Sequence, residues 1–251
     1  RPQELGVLAL AFAVARLIEV ITARCRRKRS RGGALTFALL LTLVLPAESP
    51  WWMVAAGAAF GVLIGKEVFG GTGHQVFSPV LVGQAFLLLS WPTLAADASI
   101  AAVDAESTMT MFGMSVSAQM AIERTFAVGG LLLLLTRAVD LRVPVGIVAT
   151  ACLCTIALHI TGVEAAPGTR ALILGDGFLF GALLVAGDPA TSPRSRVGRW
   201  VFAVLVGLIA AVLRTFTENP GAMVYGVLLG NMASPMIDAL TTKQTVPEAS
   251  S

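Results

Sequence analysis

The chain has 251 residues, of which 56% are hydrophobic and only 13% charged, and its mean hydropathy is +0.80. A water-soluble domain carries about 25% charged residues. A soluble globular fold and a disordered chain are therefore excluded. So is a nucleic-acid binder, despite the net charge of +3 and a pI near 9.1, because the basic residues are clustered. Three cysteines, Cys25, Cys152 and Cys154, make no disulfide framework. Cys152 and Cys154 lie inside an apolar run and read as small buried hydrophobes.

A membrane-spanning helix needs roughly 20 apolar residues, about 17 at the short end. Nine segments qualify as candidates: 5–23, 34–48, 51–66, 77–95, 120–136, 143–162, 171–187, 199–215 and 222–240. The predicted fold is all-α: a polytopic membrane protein of about nine transmembrane helices, some short or broken, in one integral membrane domain over 1–251. Interrupted segments are tolerated where protein rather than lipid covers the freed backbone. Segment 5–23 is no signal peptide, since it lacks a charged leader and the basic run Arg24 to Arg31 follows it. That run on the inner side, with strict alternation, puts 13 Lys and Arg inside and 4 outside, with Arg16 in the membrane. The N-terminus is then outside and the C-terminus inside. The longest external segment is 96–119, which carries Asp97, Asp104 and Glu106.

Two stretches look alike: Phe60-Gly61-Val62-Leu63-Ile64 and Phe180-Gly181-Ala182-Leu183-Leu184. A charged loop and a Ser-Pro pair (Ser78-Pro79, Ser192-Pro193) follow each. Chance likeness and internal duplication both account for this, and under the alternation above both stretches run the same way, unlike inverted transporter repeats.

The densest feature is the loop from Gly65-Lys66-Glu67 through Gly70, Gly71, Gly73, His74 and Gln75 to Ser78-Pro79. Its glycines permit positive φ and close backbone approach to a ligand. Pro79 favours a helix start, whose N-terminal amides attract anions or carbonyl oxygens. A plain cytoplasmic turn is the alternative, and the loop lacks the Gly-Lys-Ser/Thr ending of a phosphate loop. His74 reads as a loop hydrogen-bonder and His159 as structural, because no spacing of His, Cys and Glu supplies a metal site. Arg16 and Glu19, three residues apart in the first segment, can pair on one helix face or serve an ion path. Asp176 has no obvious local partner and sits near the outer end of its segment. Asp188-Pro189-Ala190-Thr191-Ser192-Pro193 is a second turn, followed by Arg194, Arg196 and Arg199. In the external segment, Ser107, Thr108 and Thr110 put three hydroxyls in four residues.

Three stretches carry a resemblance. Pro50-Trp51-Trp52-Met53 through the glycine loop to Phe77-Ser78-Pro79 is the first. Asp188 to Pro193 with Gly198-Arg199 is the second. Tyr225-Gly226-Val227-Leu228-Leu229-Gly230-Asn231-Met232-Ala233-Ser234-Pro235-Met236-Ile237-Asp238 is the third. In this order they resemble the family formed by the D-type subunits of Rnf electron transport complexes and the B-type subunits of Na⁺-translocating NADH:quinone reductase. The likeness is closer to the Rnf members, because a long N-terminal extension is missing. The resemblance implies a multi-pass subunit in a bacterial inner membrane, working in an ion-translocating electron transport complex of the ferredoxin:NAD⁺ oxidoreductase type. It implies FMN joined through its phosphate to a threonine in a motif near Asp-Gly-x-Ser-Gly-Ala-Thr. That motif aligns with Asp104-Ala105-Glu106-Ser107-Thr108-Met109-Thr110, so the attachment falls on Thr110, with Ser107 and Asp104 beside it. It also marks Gly70, Gly71, Gly73, His74 and Ser78 as candidates for a second, non-covalent flavin, riboflavin. Family members have ten spanning helices and an inner N-terminus, and nine with an outer N-terminus fit a chain without the first. A role as the B-type subunit of the quinone reductase and a flavin-free scaffold are the alternatives.

Such a chain relays electrons only within a complex. It has no Gly-x-Gly-x-x-Gly after a strand for a dinucleotide and no four-cysteine set for an iron–sulfur cluster. The partners implied are other subunits, a flavin transferase and membrane lipid, with no nucleic acid. The charge asymmetry makes a direct prediction: reporter fusions after Leu240 read cytoplasmic and fusions near Ala102 read external. The same location for both would break the alternation.

Overall fold

Helix boundaries follow the prolines and glycines. A computed structural model describes residues 2–27, 32–45, 49–71, 73–92, 108–111, 114–117, 140–163, 168–174, 177–217 and 221–241. Helix α1 runs Pro2–Cys25. Helix α2, Ala34–Val44, stops at Leu45, which is extended (φ −79°, ψ 143°) ahead of Pro46; the residue before a proline is driven out of the helical region. Helix α3, Trp51–Val62, starts after Pro50 and passes into a π turn at Leu63–Glu67. Helix α4, Pro79–Ser90, has proline in its first turn and ends at Trp91, again just before a proline. Helix α5 is Arg142–Ile160.

The expected single span at 171–187 is divided. Helix α6 covers Thr169–Leu174, and a one-turn α7, Phe178–Phe180, follows Gly177 in the left-handed region (φ 68°). A second π turn, Gly181–Val185, continues it. Glycine adopts that φ at no steric cost, so the apolar run turns where composition alone would carry it straight through. Helices α8, Arg196–Thr217, and α9, Ala222–Thr241, complete the order. The candidate segment 120–136 and Asp176 lie outside the described residues.

Among the described residues four helical stretches are long and apolar enough to cross a membrane: Leu5–Cys25 of α1, and α5, α8 and α9. At about 1.5 Å per residue, the 22 residues of α8 reach about 33 Å, enough for a hydrocarbon core of about 30 Å. The 11 residues of α2 do not. The molecule is thus an all-helical polytopic membrane protein. The one departure from helix among the described residues lies in the segment expected to be external. There β1, Thr108–Met111, pairs antiparallel with β2, Met114–Ser117, setting Thr110 opposite Ser115.

Small residues let the helices approach, as expected where lipid gives no hydrophobic drive between them. A Cβ on Gly61 would lie 2.6 Å from the Pro79 carbonyl oxygen, and one on Gly83 would lie 2.6 Å from that of Gly57. These contacts set α3 antiparallel to α4. Gly6 lies against Trp51, and the far ends of α1 and the first π turn also meet, so α1 and α3 run parallel. In the second half, Gly146 meets Ala203 and Trp200, and Gly207 meets the Ile147 carbonyl, so α5 and α8 run parallel. Gly226 and Gly230 bring α9 back antiparallel along α8. All these directions agree with the alternation read from the charges. The main core holds Leu81, Ile147, Phe202, Val206 and Val227. Cys154 packs at its margin, and both Cys152 and Cys154 are half-buried rather than enclosed.

Both look-alike stretches end in a π turn. Phe60-Gly61 leads into one and Phe180-Gly181 begins the other, and each then gives way to a turn, a Ser-Pro pair and another helix. The order of a long helix, short pieces, π turn, turn and helix recurs in the two halves.

Close packing at Gly83 gives a test. Gly83→Ala forces a backbone shift and should destabilise the detergent-purified protein by about 1–3 kcal/mol. Gly168→Ala, with nothing within 4 Å of its new methyl group, should stay within about 0.5 kcal/mol of wild type. Thermal unfolding of both variants checks this, and equal midpoints would refute the packing argument.

Candidate functional site

The glycine loop hangs from a buried ionic cluster. Glu19 on α1 and Lys66 in the first π turn are 3% and 6% exposed, and Lys66 Nζ donates to Glu19 Oε1 at 2.6 Å. Lys66 also donates to the Gly32 carbonyl at 3.0 Å. Arg16 reaches Glu19 at 3.2 Å, so the expected pair within α1 exists, but Glu19 serves two cations. A burial this deep is stable only because the charges are paired and hydrogen-bonded. Gly33 has φ 110°, and a Cβ there would sit 3.1 Å from Lys66 Nζ. Glycine at 33 therefore satisfies both the turn and the close approach. Beside this cluster, Arg26 pairs with the Glu67 carboxylate at 3.4 Å and also donates to the Glu67 carbonyl.

The charge count put Lys66 in an inner loop, whereas it lies buried in the π turn. An extra residue in a helical turn shifts the faces beyond it. The available signal was a pair of opposite charges in two apolar segments, Glu19 and Lys66.

The loop itself is left-handed at Gly70 (φ 115°), Gly71 (φ 92°) and Gly73 (φ 92°). Three of its amides already have acceptors. Gly70 N–H donates to Glu67 O at 3.1 Å, Gly71 N–H to Lys66 O at 3.1 Å, and His74 N–H to Gly71 O at 3.2 Å. Two of the glycine amides expected to be open to a ligand, those of Gly70 and Gly71, hold the loop together instead. The His74 backbone thus makes a loop hydrogen bond, and its side chain is exposed. A Cβ on Gly73 would meet nothing within 4 Å. The open face of the loop is therefore at Gly73 and His74. Ser78 is buried at the start of α4, where Gly65 packs on Pro79 at 2.7 Å from an ideal Cβ. The π turn covers that helix start, which leaves the Gly73 side as the open face of the loop.

The second turn is organised by carboxylates. Asp188 Oδ1 accepts from the Ala190 amide at 2.9 Å, and Asp188 O accepts from Ser192 N–H at 3.0 Å. Asp238, near the end of α9, accepts from the Arg194 amide at 2.9 Å and from Ser195 N–H at 3.4 Å. Ser195 caps α8 by accepting from Gly198 N–H at 2.8 Å. Arg199 donates to Pro193 O at 3.0 Å and pairs with Asp140, which also holds Arg142 at 3.2 Å. Desolvation pushes the Asp140 carboxyl up, but the Arg142 amide and the Arg199 and Arg142 charges outweigh it and hold the group below the ordinary carboxylate range. The starts of α5 and α8 and the end of α9 are thus tied at one end of the bundle. The Thr191 hydroxyl is buried without a partner among the described residues.

The expected attachment residue Thr110 lies on β1, a backbone partner of Ser115. Thr108, the rival hydroxyl, is on the same strand, paired with Ser117. Asp104 and Ser107 lie outside the described residues. The structure therefore brings Thr110 into a short two-stranded pair. Among the described residues no cluster of His, Cys, Asp and Glu suits a metal ion.

The ion cluster predicts a non-additive result. Glu19→Leu leaves the Lys66 ammonium buried with only a carbonyl, a loss of about 3–5 kcal/mol. Adding Lys66→Met should restore much of it, because two apolar groups then replace two charges. Thermal unfolding of the single and double variants in detergent measures this coupling, and additive losses would show that the two charges do not act as a pair.

The chain matches the NQR2, RnfD, RnfE family over residues 1–247. It is 30% identical to the B subunit of the Na(+)-translocating NADH-quinone reductase of Azotobacter vinelandii, covering 96% of this chain and 68% of that protein. The same subunit of Ectopseudomonas mendocina gives the same figures. That of Chromohalobacter salexigens is 31% identical over 93% of this chain and 64% of its own length. A match of this extent, on an all-helical polytopic bundle, makes the chain a member of the NQR2, RnfD, RnfE family of membrane subunits.

Proposed function

We propose that this chain is the flavin-bearing membrane subunit of a bacterial ion-translocating electron transport complex, carrying covalent FMN on Thr110. The observation that carries the reading is the family match along almost the whole chain. A flavin supplies the redox chemistry, and the protein supplies position and electrostatics. The resemblance puts the attachment on Thr110, whose backbone lies in a short two-stranded pair. Ser107 and Asp104 precede it as candidates for contacting the phosphate and orienting the loop. Electrons arrive from and leave to other subunits, Na⁺ or H⁺ moves in return, and the chain is not catalytic alone. A flavin transferase installs the FMN, and lipid covers the apolar outer faces, where Leu17, Leu153, Met232 and Leu240 are exposed. The inner membrane is the site of action.

Two forms of complex fit, Rnf and the sodium-pumping NADH:quinone reductase. The names of the relatives support the second, with this chain in the B-type role. A non-covalent riboflavin at the glycine loop is a further part of the reading, on the open side at Gly73 and His74, with Gly70 and Gly71 shaping the turn and Ser78 closing it.

Mass spectrometry of the peptide spanning Leu94–Arg124, from protein co-expressed with a flavin transferase, tests the attachment. The expected result is an added mass of FMN minus water, lost in Thr110→Ala and kept in Thr108→Ala. An unmodified peptide from an active complex would replace this reading with a flavin-free scaffold.

A further inference from the structure

Helix α9 contains a polar residue whose groups nothing in the described structure satisfies. Asn231 is fully buried, and both its Oδ1 and its Nδ2 lack a hydrogen-bond partner. Pro235 stands four residues on, inside the helix. A proline has no N–H, so the Asn231 carbonyl loses its ordinary helical donor. Side chain and main chain of one residue are therefore both underused, midway along a helix that reads as a membrane span.

Its surroundings are tight. The preceding Gly230 packs on Val206 and Phe202 of α8, where an added Cβ would lie 2.4 Å and 3.0 Å away. Val227 and Ser234 share the buried face. Helix α9 also touches α4 and the second π turn. Leaving a buried amide unpaired costs about 1–3 kcal/mol for each group, and more where no water is at hand. An apolar residue would avoid that cost.

Irregular backbone at membrane depth is tolerated where it is buried in protein or lines a polar path, and freed carbonyls of broken helices hold ions in transporters. Two such irregularities, the backbone donor missing at Pro235 within α9 and the π turn at Gly181–Val185, lie in elements that touch. Oδ1 and the main-chain oxygen are neutral, hard ligands without a carboxylate, which suits a monovalent cation better than a divalent one. Nδ2–H can donate to a water that travels with the ion.

We propose that Asn231 is a contact point for a partly hydrated monovalent cation passing through the bundle, and that this structure shows the point closed. The proposal rests on reading the chain as a subunit of an ion-translocating complex. Opening requires α9 to part from α4 or from the second π turn, and Pro235 gives α9 the place to bend.

The test uses the intact purified complex and NaCl titrations, with choline chloride holding the ionic strength. In Asn231→Leu the half-saturating Na⁺ for electron transfer should rise at least about tenfold, the loss of about 1.4 kcal/mol of binding, and Na⁺ uptake into proteoliposomes should fall. Flavin content and subunit composition should stay as in wild type. Unchanged Na⁺ dependence in Asn231→Leu, or none in wild type, would overturn the proposal and leave the amide as a site for water alone. Where Asn231→Leu fails to assemble, Asn231→Asp decides. It keeps the oxygens and adds a titratable group, so half-saturating Na⁺ should fall as pH rises from 6 to 9, and a flat profile overturns the proposal. Loss of flavin with a normal Na⁺ titration would instead count against the proposed function.

Discussion

The Glu19–Lys66 ion pair is the contact on which the first half of the molecule depends. Two opposite charges, each almost wholly removed from solvent and 2.6 Å apart, cannot be separated inside a membrane without leaving a bare charge in a low-dielectric medium. The pair therefore fixes the end of α1 against the first π turn. Gly6 against Trp51 fixes the other end. The turn between α1 and α2 is drawn in as well, since Gly32 supplies a carbonyl to Lys66 and Gly33 leaves room for its ammonium. The glycine loop and the start of α4, next along the chain, take their position from this anchor.

The two halves answer the same problem with different chemistry. In the first, a buried ion cluster ties the helix ends. In the second, half-buried groups do so: Asp140 between Arg142 and Arg199, and Asp238 on the amides of Arg194 and Ser195. Between these ends glycines set the approach of the helices, because lipid offers no hydrophobic gain for association and close van der Waals contact has to serve instead. The π turns sit where each half changes from helix to turn. A π turn carries one residue more than an α turn and re-aims the side chains beyond it. That shift sends Lys66 inward to Glu19.

The proposed functions divide along the same lines. The flavin reading concerns a two-stranded pair and a glycine loop. The cation reading concerns the bundle interior, where Asn231 and Pro235 leave polar groups unused. An electron carrier can work from an edge because electrons pass to neighbouring subunits. An ion has to cross the apolar layer, and there an unpaired amide is a cost that a packing residue would not carry.

Composition and charge spacing alone determined the membrane class, eight of the nine segments as helical regions, and the alternating directions that the helix contacts repeat. Those features are local or summed over the chain, as apolar length and the Lys and Arg bias are. Pro79 was legible as a helix start, but the expected segments 34–48 and 77–95 ran past Pro46 and Pro92, ahead of which α2 and α4 in fact end. The family was legible in short motifs such as the glycine loop and Asp188 to Pro193. Long-range pairing was not. The sequence suggested Arg16 with Glu19 because they are three residues apart, but it could not show Lys66, 47 positions on, because a π turn turns it inward. Nor could it show that the Gly70 and Gly71 amides bond the loop itself, or that the run 171–187 breaks at Gly177. Those outcomes depend on which neighbour reaches a polar group first once the helices pack, and only the tertiary structure decides that.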